Sequence, residues 1–313
     1  MNLQVFRSTS LLLALLGSML LSSCLLRDPS EKLPNLYETM QERPDFSMFV
    51  EALDRTPFVE DLSSLFFTVM VPSNNVFQSW LDANNYANIA DIPQTRLEQL
   101  IRYHFQQGKT STDLLATGYY ITPSYEAPDS NFLAILLAIG TEGIVVNGDV
   151  VFTETDIEAK NGFIHVIDNV LETPTIYELM EDNDAFSIFR EAAERAGLKA
   201  ELTNGTPTTV FLPTDQAFED WFDDTDNLKD LDDLSDEELK RFMRHHLVSG
   251  NFRKDDMDEA FTTTYFKTMS GDSIRVAATS FNLALNDSVA FILQDIQGTN
   301  GVLHFINDVL DPK

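Results

Sequence analysis

The chain is built from two copies of one sequence pattern, which follow each other at an offset of about 140 residues. Four blocks recur in the same order in both copies. In the first copy they lie at 34–40, 68–77, 102–105 and 161–171. In the second copy they lie at 174–180, 209–218, 244–247 and 300–310. Because each copy is long enough to bury a hydrophobic core of its own, the duplication predicts two domains with the same fold.

The second block of each copy predicts a strand that leads directly into a helix. β-Branched and apolar residues run up to Pro72 in the first copy and up to Pro213 in the second. Proline cannot continue a central strand, because it has no N–H to donate. The next residues, Ser73 and Thr214, are expected to cap the following helix with a side-chain oxygen.

Four of the five histidines occupy equivalent positions in the two copies. Apolar residues before His104 and His246 recur at helical spacing, which places these histidines on the buried stripe of a helix. The fourth block starts with an Asn-Gly turn and continues as an apolar run that contains His165 or His304, as is typical of an interior strand. Each copy therefore alternates helical and strand segments, which predicts an α+β domain.

The charge of the chain excludes some classes of function. There are 21 Lys and Arg residues against 50 Asp and Glu, giving a formal net charge of −29. This balance argues against binding to nucleic acid and against electrostatic attraction to anionic lipid. Membrane association then requires apolar insertion or a covalent lipid. The single cysteine, Cys24, excludes an intramolecular disulfide and a metal site built from cysteines.

The first 23 residues predict an export signal. Arg7 precedes an apolar run over 11–21, which is too short to span a bilayer but suits a signal peptide. The following Leu-Ser-Ser-Cys resembles the bacterial lipoprotein box, which implies that Cys24 becomes the lipidated first residue and that 24–33 form a tether. The expected location is the cell envelope, as an outer-membrane lipoprotein facing the periplasm or the surface. The alternative is a free cysteine in an ordinary secretory signal.

The Pro-Ser/Thr-Asn/Asp block, the Tyr-His pair and the Asn-Gly-x-x-His-x-Ile block together resemble the fasciclin domain, and the whole chain resembles tandem fasciclin lipoproteins of Bacteroidetes. The resemblance covers two copies, at 34–172 and 173–313. It implies two wedges, each a seven-stranded β-sandwich with flanking helices, in a protein of adhesion or surface interaction without catalytic residues. The family motif would comprise Tyr103, His104, His165, His246 and His304. The second copy departs from it, because His245 stands where the first has Tyr103.

No catalytic, cofactor or metal site is predicted. The equivalent histidines are interpreted as neutral core residues rather than metal ligands. The acidic stretch 219–238 fails as a calcium loop of the EF-hand type, since Lys229 replaces the required glycine and Ser235 the final glutamate. Fifty acidic residues make a chance pair of carboxylates certain, so a glycan-acting enzyme stays open as a third function.

Aromatic residues give one candidate partner surface. Tyr119, Tyr120 and Tyr125 are concentrated in a segment that the second copy lacks, where Tyr265 and Phe266 stand instead. Such a cluster favours contact with an envelope or extracellular protein or glycan. The alternative is that its side chains fold onto the sandwich. Two tryptophans at equivalent positions, Trp80 and Trp221, are expected to pack in the core or at an interface rather than to stack on sugars.

Two serines are candidate modification sites. The tripeptides Asp-Ser-Ile at Ser273 and Asp-Ser-Val at Ser288 resemble O-glycosylation sites of Bacteroidetes. The complete prediction is a lipid-anchored, non-catalytic binding or adhesion protein of the cell envelope. The alternative is an accessory subunit of an outer-membrane glycan-uptake assembly.

Overall fold

The two copies of the sequence pattern fold into matching successions of helices and strands, in a computed structural model that describes residues 33–63, 65–126, 131–141, 143–226, 228–257, 263–278 and 283–312. The elements of repeat 1 are α1 (Leu36–Gln41), α2 (Ser47–Asp54), β1 (Phe67–Pro72), α3 (Asn74–Ala83), α4 (Gln94–Tyr103), β2 (Phe105–Gln107), β3 (Gly118–Glu126), β4 (Asn131–Gly140), β5 (Gly143–Val146), β6 (Val150–Ala159) and β7 (Gly162–Ile167). The elements of repeat 2 are α5 (Ile176–Glu181), α6 (Ser187–Arg195), α7 (Lys199–Asn204), β8 (Thr208–Pro213), α8 (Asp215–Asp224), α9 (Asp236–His245), β9 (Leu247–Ser249), α10 (Lys254–Met257), β10 (Thr263–Lys267), β11 (Ser273–Ala278), β12 (Leu283–Leu285), β13 (Val289–Gly298) and β14 (Gly301–Ile306).

Each repeat contains one seven-stranded sheet. The strand order is β2-β1-β7-β6-β5-β4-β3 in repeat 1 and β9-β8-β14-β13-β12-β11-β10 in repeat 2. The first long strand of each repeat pairs in parallel with the last one, while the other neighbours are antiparallel. In repeat 2 a bridge between Val248 and Thr268 joins the two ends of the row, so that the sheet is nearly closed. The predicted α+β fold with seven strands and flanking helices is confirmed.

Strand β1 is buried on both faces, because one core lies on each side of it. Val69 and Val71 pack among the helices α1 to α4, whereas Met70 points into a second cluster enclosed by the strands. Repeat 2 has the same division into a helix-side core and a strand-side core. This arrangement explains why the second block reads as continuously apolar rather than alternating.

The turn from strand to helix follows the prediction, but its capping differs between the repeats. Both strands end at the proline, and the next residue has the extended backbone of an N-cap. The Thr214 side chain accepts a hydrogen bond from the Ala217 N–H at 3.2 Å. The Ser73 side chain makes no such cap, so that part of the prediction is wrong. Asn74 supplies the local order instead, since its Oδ1 accepts from the Met48 N–H at 2.9 Å.

A buried asparagine fastens the start of each repeat to its last hairpin. Asn161, between β6 and β7, accepts a hydrogen bond from the Leu36 N–H at 2.9 Å and donates to the carbonyl of Leu65 at 2.8 Å. Asn300 accepts from the Ile176 N–H at 2.9 Å in the same way. The Asn-Gly turn therefore positions the first helix as well as reversing the chain.

Both repeats belong to one compact unit that begins at Leu33. Within the part of the chain that the structure describes, no helix is long and apolar enough to cross a membrane. The predicted signal peptide over 1–23 and the lipidation site Cys24 lie outside the described residues.

Candidate functional site

The helix-terminal histidines, His104 and His246, are fully buried at the ends of α4 and α9. The Nδ1–H of His104 donates to the carbonyl of Leu100 at 2.8 Å, and its Nε2 accepts from the Leu171 N–H at 3.1 Å. One nitrogen must donate and the other must accept, so the ring is neutral. Burial lowers the pKa of His104 to about 4 and that of His246 to about 3. These histidines join the helix to the chain after the last strand.

His246 repeats this arrangement atom by atom. Its Nδ1 lies 3.0 Å from the carbonyl of Phe242, and its Nε2 accepts from the Leu310 N–H at 2.9 Å. The sequence-based interpretation as neutral core histidines agrees with the geometry at both positions. Neither ring has a free nitrogen with which to bind a metal ion.

The residue before the helix-terminal histidine differs between the repeats. Tyr103 is fully buried, donates from its hydroxyl to the carbonyl of Ala134 at 2.7 Å and accepts from Asn147 at 2.9 Å. It thus connects α4 to β4 and to the turn before β6. In repeat 2, His245 contacts Ser270 instead, at 3.2 Å from Nδ1 to Oγ. Because His245 stands in place of a tyrosine, α9 lacks the hydrogen bond by which Tyr103 links α4 to β4.

The strand histidines, His165 and His304, are buried beside an aspartate that has a positive φ angle. The N–H of Asp156, at φ 60°, donates to His165 Nδ1 at 3.1 Å. The N–H of Asp295, at φ 64°, approaches His304 Nδ1 at 3.3 Å. Burial lowers the pKa of both histidines, although the neighbouring carboxylate opposes the shift. These contacts stabilise irregular turns of β6 and β13 and leave the rings uncharged.

The described residues of the acidic stretch, 219–226 and 228–238, form the expected solvated helix–loop–helix edge. They cover the end of α8, a short turn over Leu231–Asp233 and the start of α9. Among the described residues, no group of three or more His, Cys, Asp or Glu side chains is arranged to hold a metal ion.

The two tryptophans pack against aromatic neighbours. Trp80 is 6% exposed, stacks on Tyr86 at 5.9 Å and donates from its indole N–H to Glu172 at 2.7 Å. Trp221 stacks on Phe242 with ring centroids 4.6 Å apart. The prediction of core packing agrees with these contacts.

Tyr119 of the candidate partner surface faces repeat 2. Its hydroxyl donates to the carbonyl of Leu179 in α5 at 2.7 Å and accepts from Asn183 at 3.2 Å. Its ring meets Phe305 of β14 edge-on, with centroids 5.4 Å apart. Burial raises the pKa of Tyr119 to about 12. The Tyr119 side chain therefore makes its contacts within the chain, at the junction of the repeats, and is not free to bind a partner.

The other two tyrosines of the cluster have different surroundings, although all three lie on the edge strand β3. Tyr120 points toward the strand-side core and bonds the backbone of Ala116. Tyr125 is half-buried, with the Arg102 guanidinium 5.7 Å from its ring centroid. The three side chains do not form one surface, and contact with a partner stays a prediction for Tyr125. In repeat 2, Tyr265 is 65% exposed and Phe266 is buried.

The two repeats and their linker enclose a cleft of about 360 Å³, which is our candidate functional site. Its walls are the β5–β6 turn over 147–150, the linker over 169–174 and the acidic side chains Glu178 and Asp182 of repeat 2. Burial, together with Asp149, raises the pKa of Asp182 to about 6. The cleft therefore offers carboxylate and carbonyl oxygens, which suit a ligand rich in hydroxyl or ammonium donors. Sequence reasoning missed this site because its walls come from both repeats.

The repeats touch at two further places beside this cleft. Ala134 of β4 packs into the helix-side core of repeat 2. Arg253 of repeat 2 donates to Asn131 of β4 at 3.1 Å. Together with Tyr119, these contacts hold the repeats as one unit.

The candidate glycosylation sites are accessible. Ser273 begins β11 and Ser288 follows the tight turn between β12 and β13, and both side chains are exposed. This placement permits modification, which itself stays a prediction.

Known proteins share this pattern of sequence. The chain is 28% identical over 285 residues to transforming growth factor-beta-induced protein ig-h3 of Sus scrofa, a match that covers 90% of this chain and 40% of that protein. It is 25% identical to a fasciclin-like arabinogalactan protein of Phaeosphaeria nodorum, with 88% of each chain covered. It is also 25% identical to human periostin, over 79% of this chain and 28% of that protein. The chain thus spans less than half the length of two of these three relatives.

A solved structure shares the fold. It is the FAS1 domain pair of the insect cell adhesion molecule fasciclin I, with a TM-score of 0.54 and 20% identity, covering 86% of this chain and 97% of that one. The model of the fasciclin domain matches twice, over residues 44–174 and 184–312. Two matches in tandem, on two repeats with the same strand order, show that this chain belongs to the fasciclin domain family.

Proposed function

We propose that this chain is a non-catalytic binding or adhesion protein of the bacterial cell envelope, anchored by a lipid on Cys24. The observation that carries the proposal is the pair of fasciclin domains, since this family is typical of adhesion and matrix-binding proteins. His104, His165, His246 and His304, which could otherwise act as acid–base groups, have buried packing roles. That use supports binding over catalysis.

The cleft between the repeats and the half-buried Tyr125 are the proposed contact regions. The cleft presents oxygen acceptors to a glycan hydroxyl or to a basic side chain of a protein. Tyr125 adds aromatic area at the edge of the sheet, a feature common at interface centres. The strongly negative chain favours partners that carry positive charge or no charge.

Anchoring is tested by intact-mass measurement of the native protein. We expect cleavage before Cys24 and an added acyl mass, and we expect Cys24→Ala to lose both the mass and partition into detergent. The same spectrum tests O-glycosylation, because a glycan on Ser273 or Ser288 adds mass that Ser273→Ala or Ser288→Ala removes. A native mass equal to that of the unmodified polypeptide would contradict both modifications.

Binding is tested by identifying what co-purifies with the protein from envelope extracts. We expect Asp182→Asn or Tyr125→Ala to weaken capture, and Tyr265→Ala, at an exposed tyrosine of repeat 2, to leave it unchanged. Co-purification of a transporter would favour the accessory role in glycan uptake. Turnover on a glycan panel that is lost in Asp182→Asn would instead favour an envelope glycan-acting enzyme.

A further inference from the structure

Repeat 1 carries three apolar side chains at one end of its sheet, which we call the apolar pole: Leu65, Phe66 and Phe163. Leu65 is 50% exposed and Phe66 is 59% exposed, just before β1. Phe163 lies on the neighbouring strand β7, opposite Thr68, and is half-buried. Exposing neighbouring aromatic and leucine side chains to water is unfavourable, and covering them with another apolar surface would be favourable.

The apolar pole lies where the chain enters the folded unit. The Lys160 N–H donates to the carbonyl of Pro34 at 2.8 Å, so the β6–β7 turn touches the segment before α1. Asn161 bonds the N–H of Leu36 with one end of its amide and the carbonyl of Leu65 with the other. The first residues of the folded unit and the apolar pole are therefore neighbours.

The connection to repeat 2 leaves from the other end of the same strand. β7 runs from Gly162, beside the apolar pole, to Ile167, and the linker follows it. Six residues of strand span roughly 17 Å. The entry of the chain and the departure toward repeat 2 are thus separated by the length of β7.

Repeat 2 lacks this apolar pole at its equivalent positions. Thr206 and Pro207 stand where repeat 1 has Leu65 and Phe66, and Val302 stands for Phe163. At these positions, accessible leucine and phenylalanine side chains occur only in repeat 1, since Val302 is buried. A requirement of the fold itself would apply to both copies, so the difference indicates a role specific to repeat 1.

The charges beside the apolar pole and the length of the chain between Cys24 and Leu33 favour a lipid surface as the partner of the apolar pole. Lys109 lies 5.1 Å from the Phe163 ring centroid and pairs with Glu158 at 3.0 Å, so these two charges cancel beside the apolar pole. Nine peptide units separate Cys24 from Leu33, and an extended chain of that length reaches at most about 32 Å. An acylated Cys24 would therefore keep Leu33, at the start of the folded unit beside the apolar pole, within about 32 Å of the lipid surface. Short tethers of this kind give a weak contact a high effective concentration.

We propose that the apolar pole rests in the interface of the bilayer that holds the lipid on Cys24, with repeat 1 proximal and repeat 2 distal to the membrane. This inference rests on the proposed lipid anchor. Leu65 and Phe66 insert among the headgroups, while the acidic remainder of the surface stays in water.

The test imposes the anchor chemically, so that it does not depend on native acylation. Residues 24–313 are coupled through Cys24, the only thiol, to a maleimide-headgroup lipid in phosphatidylethanolamine–phosphatidylglycerol vesicles. A photocrosslinking p-benzoylphenylalanine replaces Phe66 in one variant, and in the other it replaces Thr206, the exposed counterpart of the neighbouring Leu65 in repeat 2. We expect lipid adducts by mass spectrometry for the variant at position 66 and only background for the variant at 206. Melting curves of both variants check that the fold is kept.

Equal lipid crosslinking at both positions, or none at position 66, overturns the inference. Adducts from position 66 to a second copy of the chain would overturn it too, since the apolar pole would then be a protein interface. The acyl mass on native Cys24 is measured separately. A missing acyl group therefore contradicts the proposed anchor, whereas a negative crosslinking result with the imposed anchor contradicts the orientation.

Discussion

The hydroxyl of Tyr119 in repeat 1 donates a 2.7 Å hydrogen bond to the carbonyl of Leu179 in repeat 2. Sixty residues separate the two, and the bond lies beside a ring contact with Phe305. The angle between the domains is thus fixed by side chains in addition to the linker. Stability and domain coupling should therefore respond to the same substitutions.

Tyr119→Phe should loosen this junction. The substitution removes the hydroxyl and leaves the Leu179 carbonyl without that donor, at a cost of about 1 to 2 kcal/mol. Urea unfolding should show a lower midpoint and a broader transition, as the repeats begin to unfold separately. Tyr120→Phe is the matched control, because its hydroxyl bonds only the backbone of nearby Ala116. Equal effects of the two substitutions would mean that the junction bond does not couple the repeats.

Gly148→Ala should disturb the cleft from its repeat 1 wall, opposite Asp182. Gly148 has φ +77°, and an added Cβ would collide with the Asp182 carboxylate. Gly197→Ala is the control for backbone strain alone, since Gly197 has a similar φ of +71° and open space where the Cβ would stand. We expect Gly148→Ala to cost about 1 to 2 kcal/mol more in unfolding free energy than Gly197→Ala. An identical loss for both would show that Asp182 moves aside without cost.

Acid should destabilise the protein through its buried histidines. In the unfolded chain a histidine binds its proton near pH 6.5, but folded His104 does so only near pH 4 and folded His246 near pH 3. Between pH 6.5 and 4 the unfolded state binds more protons, so the free energy of unfolding falls as the pH falls. Each histidine contributes about 1.4 kcal/mol per pH unit within this window.

Urea unfolding at several pH values between 7 and 4.5 measures this slope. Asp182 acts against this pH dependence. Its pKa is raised to about 6 in the folded state, so as the pH falls the folded state takes up this proton before the unfolded state does. The variant His104→Gln/His246→Gln has no ring to protonate and should give a shallower slope. A slope unchanged by the double substitution would assign the acid sensitivity to other groups.

His104→Ala should destabilise repeat 1 without changing its metal content. The substitution empties a buried site, and it removes both the acceptor for the Leu171 N–H and the donor to the Leu100 carbonyl. Together these losses cost on the order of 2 to 4 kcal/mol. Thermal melting and elemental analysis of the purified protein provide the two readouts. Stoichiometric zinc that disappears in the variant would contradict the structural role.

The local fold was predictable because the signals lie close together in sequence. Pro72 and Pro213 end their strands as expected, and the helical spacing before His104 and His246 identified buried rings. The tertiary partners were not predictable. Periodicity shows which face of an element is buried, but not what buries it. Tyr119 and Ala134 are covered by another repeat, and no local pattern in the sequence records that neighbour.

Side-chain capping was only partly predictable for a related reason. Ser73 and Thr214 occupy the same position, yet only Thr214 bonds the helix. The residue after each serine or threonine reaches back to an earlier helix, as Asn74 does to Met48 and Asp215 to Ile188. The Asn or Asp in this block was visible in the sequence, but its partner lies more than twenty residues upstream.

The parallel pairing of β1 with β7 has a consequence for the time course of folding. The paired residues Phe67 and Gly162 are about 95 residues apart, so the central ladder of repeat 1 cannot form until nearly the whole repeat is available. Loop closure of this size slows folding, because chain entropy is lost before the distant contacts form. During synthesis from the N-terminus, β1 can pair with β2, but the edge of β1 that faces β7 would therefore stay unpaired until β7 follows. Repeat 1 should remain open to holding chaperones throughout that interval, and should then fold in a single late step.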